Sequence, residues 1–134
     1  MTLVDTNVVV DVLSANRDWL QWSVDALERC RQSGPLVFNE VTYAELAVRS
    51  VSEADLQADI ERIGLRLERT PVSALFAAGQ TFRLYRAAGG PRLSLLPDFF
   101  IGAHAEASGL QILTRDPRRF RTYFPKVELI TPET

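Results

Sequence analysis

Short apolar runs alternate with amphipathic segments along this chain of 134 residues, and this alternation constrains its fold more than any other feature. The runs, such as residues 36–38 and 111–114, are three or four residues long, which is typical of strands buried on both faces of a sheet. Between them, apolar residues recur every three or four positions, which predicts helices. Strands separated by helices usually pair in parallel. The pattern therefore predicts an α/β sandwich with a mostly parallel central sheet of four to five strands.

Glycine, proline and capping residues mark the expected boundaries. Thr6 or Asn7 is expected to cap the first helix, and Gly34-Pro35 to end the second. The expected strands are residues 3–4, 36–38, 65–67 with an optional extension to Thr70, 111–114 and 127–130. The expected helices begin at Thr6 and at about residues 18, 41, 52, 72 and 97, residues 92–96 form a loop, and residues 116–123 form a loop or a short helix.

Composition limits the class of protein. Apolar residues make up 46% of the chain and charged residues 24%, and the length suits a single domain over residues 1–134. No apolar stretch approaches the ~20 residues of a membrane helix, and the N-terminus lacks a signal-peptide pattern, so we expect a cytoplasmic protein that does not enter membranes. Cys30 and His104 are the sole residues of their types, which excludes a disulfide within the chain and argues against zinc or multi-histidine sites. We expect Cys30 to be buried and His104 to lie at or near the surface.

The net charge of −2 conceals an uneven distribution. Residues 1–82 carry seven basic and twelve acidic side chains, whereas residues 83–126 carry eight basic and three acidic ones. The total charge by itself disfavours a nucleic-acid partner, but the basic segment can supply a local surface for phosphates. Fourteen of the fifteen basic residues are Arg, a ratio that genomic base composition explains as readily as phosphate binding.

Four acidic residues fall where the carboxyl ends of the predicted strands meet. Asp5 ends the first strand, and Asp116 follows the fourth. Glu45 lies in the helix after the second strand, and Asp98 in the first turn of the helix that leads into the fourth. Open parallel sheets form their sites at this edge. Clustered carboxylates repel one another unless a cation lies among them, and oxygen ligands without His or Cys suit Mg²⁺ or Mn²⁺.

Each acid also has a purely structural interpretation. Asp5 could cap the first helix, and Glu45 could lie on a solvated helix face. Asp98 could be stabilised by the helix dipole, and Asp116 could be a turn residue before Pro117. Their common position at one edge of the predicted sheet favours a shared site.

Four segments, in this order and spacing, carry a resemblance to a known family. They are residues 3–7 (LVDTN), 43–46 (YAEL), 98–105 (DFFIGAHA) and 113–116 (LTRD). Together they resemble the PIN-domain nucleases, and most of all the VapC-type toxins of bacterial type II (VapBC) toxin–antitoxin systems. The resemblance covers nearly the whole chain and implies a PIN-like three-layer α/β/α sandwich.

The same resemblance implies a function and a set of site residues. The chain would be a metal-dependent endoribonuclease that acts as the toxin of a toxin–antitoxin pair and inhibits growth or translation. Its catalytic, metal-binding residues would be Asp5, Glu45, Asp98 and Asp116, with Mg²⁺ (or Mn²⁺) as cofactor and with Asn7 and Thr114 in support. An RNA substrate, a cognate antitoxin and a second copy of the chain are the implied partners. Asp11 lies outside this set and is expected to be solvated.

Arginines near Asp116 are candidates for RNA contacts. Phe120 and Tyr123 lie among them, so both phosphate binding and base stacking are consistent with this stretch. A solvated arginine run beside a core phenylalanine explains it equally well. The candidates around Asp116 are Arg115, Arg118 and Arg119, and Arg86 and Arg92, earlier in the chain, are candidates to extend the same surface.

Two other functions remain open on the sequence. One is a catalytically silent PIN-like domain that binds RNA or a protein. The other is a phosphatase that forms an aspartyl-phosphate at Asp5. The second is disfavoured because such enzymes usually carry another Asp two residues later and an active-site Lys, whereas position 7 is Asn and the sole Lys is Lys126.

Overall fold

Five short strands, all parallel, form the central sheet of the computed structural model, which describes residues 1–90 and 96–133. Pairing is parallel at each of its four strand junctions, which confirms the predicted architecture. The order across the sheet is third, second, first, fourth and fifth strand. In chain order the strands are β1 (Thr2–Val4), β2 (Leu36–Phe38), β3 (Leu65–Leu67), β4 (Gln111–Leu113) and β5 (Leu129–Ile130).

Helices connect these strands, and their ends follow local chemistry. The Asn39 side chain accepts hydrogen bonds from the backbone N–H groups of Val41 and Thr42 and so caps the third helix. Gly64 ends the fourth helix with φ +85°, a left-handed conformation that favours glycine. The helices of the described residues are α1 (Thr6–Leu13), α2 (Leu20–Ser33), α3 (Glu40–Val48), α4 (Glu53–Ile63), α5 (Val72–Ala87), α6 (Leu96–Ser108) and α7 (Arg118–Tyr123).

Several expected boundaries differ from the structure by one or two residues, including the start of β1 at Thr2, the end of β4 at Leu113 and the start of β5 at Leu129. The cap of α1 is Asp5, whose carboxylate accepts the Thr6 N–H, and neither Thr6 nor Asn7 takes that place. The helix α6 begins at Leu96, one residue before the expected start. The rest of the expected loop, residues 92–95, and the candidate Arg92 lie outside the described residues.

Two hydrophobic cores lie on opposite faces of the sheet. Because successive strand residues point to opposite faces, Leu3 packs with Val37 and Ile112 in one core, against α5, α6 and α7. Val4 packs with Phe38 in the other core, against α1, α2, α3 and α4. Both faces of the sheet are therefore covered, which explains why the strands read as continuous apolar runs.

The strand order places a switch point between β1 and β4. From β1 the chain winds outward to β2 and β3, and then returns to the other side of β1 to form β4. The connections that leave β1 and β4 diverge at this point, which leaves a crevice at the carboxyl ends of these strands. Asp5 and Thr114 are the residues that follow β1 and β4 directly.

The two rare residues differ in how they match expectation. Cys30 is buried on α2, as expected. His104 is fully buried on α6, so the expectation of a surface position is wrong. Its ring contacts Asn39 and Thr70 because α6 packs against the start of α3. No helix among the described residues has the length and apolar character to cross a membrane.

Candidate functional site

Asp5 and Thr114 face each other across the switch point. The Thr114 hydroxyl donates a hydrogen bond of 2.7 Å to Asp5 Oδ2, while Asp5 Oδ1 accepts the Thr6 N–H at 2.7 Å. Both side chains are buried, and their residues directly follow the paired strands β1 and β4. The position of the Asp5 carboxylate is therefore set by two independent donors.

Asn7 links the same group to the loop after β4. Its amide Nδ2 lies 3.3 Å from Asp5 Oδ2 and 3.4 Å from Thr114 Oγ1. Its Oδ1 accepts the backbone N–H of Arg115, and the Thr114 hydroxyl accepts the N–H of Asp116 at 3.0 Å. Asn7 and Thr114 thus hold Asp5 and Asp116 in a fixed relation.

Glu45 reaches this edge from α3. Its Oε1 accepts a hydrogen bond of 2.7 Å from the Thr6 hydroxyl, at the first residue of α1. Thr6 is therefore a site residue whose role the motif alone did not show: its hydroxyl turns Glu45 toward the end of β1.

Asp98 and Asp116 share a cationic neighbour. Arg119 Nη1 lies 3.8 Å from Asp98 Oδ2 and 3.9 Å from Asp116 Oδ2. Asp116 also pairs with Arg118, whose Nε lies 3.1 Å from Oδ1. Asp98 is in the first turn of α6, as expected.

All four acids line one cavity of about 360 Å³ at the carboxyl edge of the sheet. Asn7, Arg49 and Arg115 line it as well, whereas Thr114 lies behind Asp5. Within residues 1–90 and 96–133, no three His, Cys, Asp or Glu side chains lie close enough together to hold a metal ion as they stand. The carboxylates therefore share one cavity without converging on a single point.

Ionised carboxylates are destabilised inside this cavity. Burial above all, then the charge of Asp98, raises the pKa of Asp5 to about 7, although the hydrogen bonds from Thr114 and Thr6 oppose the shift. Burial raises the pKa of Asp98 to about 6, against the effect of Arg119 and with the effects of Glu45 and Asp116. The hydrogen bond from Arg118 leads the effects that lower the pKa of Asp116, at the exposed rim. A bound cation would therefore stabilise most the ionised forms of Asp5 and Asp98.

Asp11 is fully buried, so the expectation that it is solvated is wrong. Arg115 donates from Nε to Asp11 Oδ2 at 2.6 Å and from Nη2 to Oδ1 at 2.9 Å. Ser23 donates to Asp11 Oδ2 at 2.8 Å, and the Arg115 guanidinium lies 5.1 Å from the centre of the Trp19 ring. The buried Asp11 carboxylate is therefore neutralised by a bidentate pair with Arg115. The same contacts hold Arg115 against α1 and α2.

The other candidate arginines differ in their surroundings. Arg118 and Arg119 lie beside acids of the cavity, and Arg86 lies on α5, outside the cavity lining. The RNA contacts expected for them and for Arg115 remain predictions.

Arg49 lines the cavity but belongs to no motif quoted above. One signal could have found it: it follows Glu45 by four residues, and residues four apart share a face of a helix. The candidate cations all came from the basic segment 83–126, whereas Arg49 lies in the acidic part of the chain.

Comparison with known families finds the PIN domain, whose profile matches residues 2–125. A comparison with curated protein sequences gives no significant match.

Similar solved structures cover almost the whole chain. One is a chain of VapBC2 from Rickettsia felis bound to a DNA fragment from their promoter, with 17% identity, 97% of each chain covered and a TM-score of 0.72. Another is a chain of VapBC-1 from nontypeable Haemophilus influenzae, with 18% identity, 99% of this chain and 98% of that chain covered and a TM-score of 0.71. A third is a chain of FitAcB from Neisseria gonorrhoeae, with 20% identity, 99% of each chain covered and a TM-score of 0.64. At these identities the likeness shows a shared fold.

Proposed function

Because the chain belongs to the PIN-domain family, we propose that it is a metal-dependent endoribonuclease and the toxin of a toxin–antitoxin pair. The observation that carries the proposal is the cavity at the switch point, where carboxylates from four separate segments meet. A structural role accounts for each acid singly, but not for four acids in one cavity where two of them have raised pKa values. The silent-domain alternative leaves this costly arrangement without a purpose.

The donor set fits a hard divalent cation. The cavity offers carboxylate and amide oxygens, and among the described residues neither a thiol nor an imidazole lines it. Mg²⁺ usually keeps several waters and takes one or two carboxylates from the protein, so it does not require the acids to converge. Asp5 and Asp98, with Glu45 and Asp116 beside them, are the residues that would hold the ion. When bound, Mg²⁺ or Mn²⁺ would supply positive charge at a phosphodiester and lower the pKa of a water.

The chain's own residues would prepare this chemistry. Thr114 and the Thr6 N–H fix the direction of the Asp5 carboxylate, and Thr6 fixes Glu45. These groups are positioned before substrate arrives, so little reorganisation is needed during the reaction. The exposed Asp116 and Arg118 form the rim across which an RNA strand would approach.

An antitoxin partner fits the charge of the cavity. Solved structures that share this fold are named VapBC and FitAcB. We propose that an antitoxin places a cationic side chain among the four acids and so blocks RNA, and that the toxin forms a homodimer.

The test is RNA cleavage by the purified protein with Mg²⁺ or Mn²⁺. Asp5→Asn and Asp98→Asn are expected to lower the rate by about 100-fold or more, because each removes a charge that would hold the ion. Asp18→Asn is the matched control, since Asp18 is exposed and does not line the cavity. Its rate should equal that of the unaltered protein.

Full metal-dependent cleavage by either site variant would contradict the proposal. In cells, mapping the 5′ ends of RNA after induction, with Asp5→Asn as the comparison, would show whether new cuts and growth arrest depend on the same carboxylate.

A further inference from the structure

Arg49 contributes a cation to the wall of the acidic cavity. It follows the last residue of α3 and is exposed. It lines the cavity together with the four carboxylates, and it also lines a groove between α3 and α4 of about 660 Å³. Among the described residues, Arg49 alone lines both, so it borders the cavity on one side and the groove on the other.

The guanidinium of Arg49 has no hydrogen-bond or ion-pair partner among residues 1–90 and 96–133. A glutamate four residues before an arginine on a helix normally forms a favourable pair with it. Here Glu45 accepts from the Thr6 hydroxyl instead. Glu45 thus bonds to Thr6 at the cavity, and the Arg49 guanidinium beside it stays unpaired among the described residues.

The arginines expected from the sequence differ in this respect. Arg115 lines the cavity too, but the Asp11 carboxylate occupies its Nε and Nη2 donors. Arg118 donates to Asp116, and Arg119 lies between Asp98 and Asp116. Acidic side chains of the protein itself therefore offset much of that positive charge.

We propose that Arg49 binds a phosphate of the RNA next to the bond that is cut. The proposal rests on the proposed nuclease function and adds to it a substrate contact outside the basic segment 83–126. A guanidinium presents parallel donors that match two phosphate oxygens. In Arg49 these donors are unpaired at the cavity mouth, within the reach of a strand whose phosphate enters the cavity. Glu45 lies in α3 and Arg49 directly follows it, so α3 would position one proposed metal ligand and one phosphate contact together.

The experiment compares Arg49→Gln with Arg66→Gln. Arg66 is exposed on β3, has no ion pair with any described residue and does not line the cavity. Arg66→Gln therefore removes the same charge at a position away from the cavity. For a single-stranded RNA substrate, we expect Arg49→Gln to raise KM about tenfold, the effect of one lost charge-assisted hydrogen-bonded contact. The slope of log KM against log salt should fall by about 0.7, the value for one phosphate on a single strand. Arg49→Lys should restore the salt slope and only part of the affinity.

The metal dependence separates this role from a structural one. If Arg49 served to pair with Glu45, its loss would change the Mg²⁺ concentration at half-maximal rate and leave KM unchanged, and that result would overturn the proposal. Equal KM values for Arg49→Gln and Arg66→Gln would overturn it as well.

A binding measurement keeps the proposal separate from the proposed nuclease function. Labelled single-stranded RNA is titrated with Asp5→Asn protein and with the Asp5→Asn/Arg49→Gln double variant, both in EDTA at low salt. About tenfold weaker binding by the double variant supports the phosphate contact even if no cleavage is found. Equal binding by the two proteins contradicts it even if the unaltered protein cuts RNA.

Discussion

Asp5 caps a helix and also lies beside other carboxylates, and these two settings act on its charge in opposite directions. The N–H of Thr6 and the hydroxyl of Thr114 stabilise the ionised form. Burial and the neighbouring Asp98 oppose it, and the pKa of Asp5 rises to about 7 because they dominate. A residue that serves only as a helix cap would not need to be buried beside another carboxylate. The cost to folding is therefore evidence that the carboxylate is placed for a ligand.

This balance predicts how the stability of the metal-free protein depends on pH. The folded pKa of Asp5 is about 7 and its ordinary value is 3.8, so between these values the folded state binds more protons than the unfolded state. The free energy of unfolding should therefore fall as pH rises from about 4 to about 7, and this contribution should level off above pH 7. Asp98, with a pKa of about 6, adds to the same trend.

Urea unfolding in EDTA at several pH values checks this expectation. Asp5→Asn should be more stable than the unaltered protein at pH 7.5, by a few kcal/mol at most, and the difference should vanish toward pH 4. Asn is itself a good cap, so the helix start is kept. A stability difference that does not change with pH would show that Asp5 is not strained by its charge.

The element that matters most to the site is α3. Its cap, Asn39, accepts two backbone N–H groups through Oδ1, which leaves Nδ2 to donate to His104 Nδ1 at 3.2 Å. The proton of the neutral imidazole must then lie on Nε2, which has no partner among the described residues. Burial lowers the pKa of His104, although Glu40 and Glu68 oppose this shift. One buried amide thus joins the start of α3 to α6.

Removal of this amide should cost more than removal of an ordinary cap. Asn39→Ala is expected to lower the free energy of unfolding by about 2–3 kcal/mol, because it removes the cap and the shorter of the two polar contacts to the buried His104 Nδ1. Ser52→Ala removes the exposed cap of α4 and should cost about 1 kcal/mol. Chemical denaturation of both variants gives the comparison. Equal losses would mean that the contact with His104 adds nothing.

At the scale of the whole molecule, the Asp11–Arg115 pair joins parts that are far apart in the chain. Asp11 belongs to α1, Ser23 belongs to α2, and Arg115 follows β4 beside Thr114. Since Arg115 lies between Thr114 and Asp116, its side chain holds the loop that carries one wall of the cavity. Its charge serves the structure here, in addition to any contact with RNA.

The contribution of this pair to the free energy of unfolding can be compared with that of an exposed pair. Asp11→Asn should lower the free energy of unfolding by about 3 kcal/mol, because it leaves the largely buried Arg115 cation without its partner. Glu133→Gln breaks the exposed pair with Arg121 and should cost less than about 1 kcal/mol. Thermal or urea unfolding measures both. Similar small losses would show that solvent screens the Asp11–Arg115 pair as well.

The sequence alone predicted the architecture and the position of the four acids, because both follow from local patterns. Apolar runs of three or four residues, separated by helical periodicity, are enough to indicate a parallel sheet. Each acid stands next to a strand end or in a helix close to one, so its edge of the sheet follows from its place in the chain. Asp5 and Asp116 show this most directly.

Only the tertiary structure decided how charged and polar side chains pair. Asp11 and Arg115 are 104 residues apart, and Asn39 and His104 are 65 apart, so no local pattern joins them. Arg49 was overlooked for a related reason: whether it pairs with Glu45 depends on Thr6, which α1 brings to α3 from 39 residues away. The burial of apolar residues is easy to predict from sequence, since they recur at the period of a strand or a helix. A polar residue is buried only where a partner meets it, and that partner is set by the packing of the whole chain.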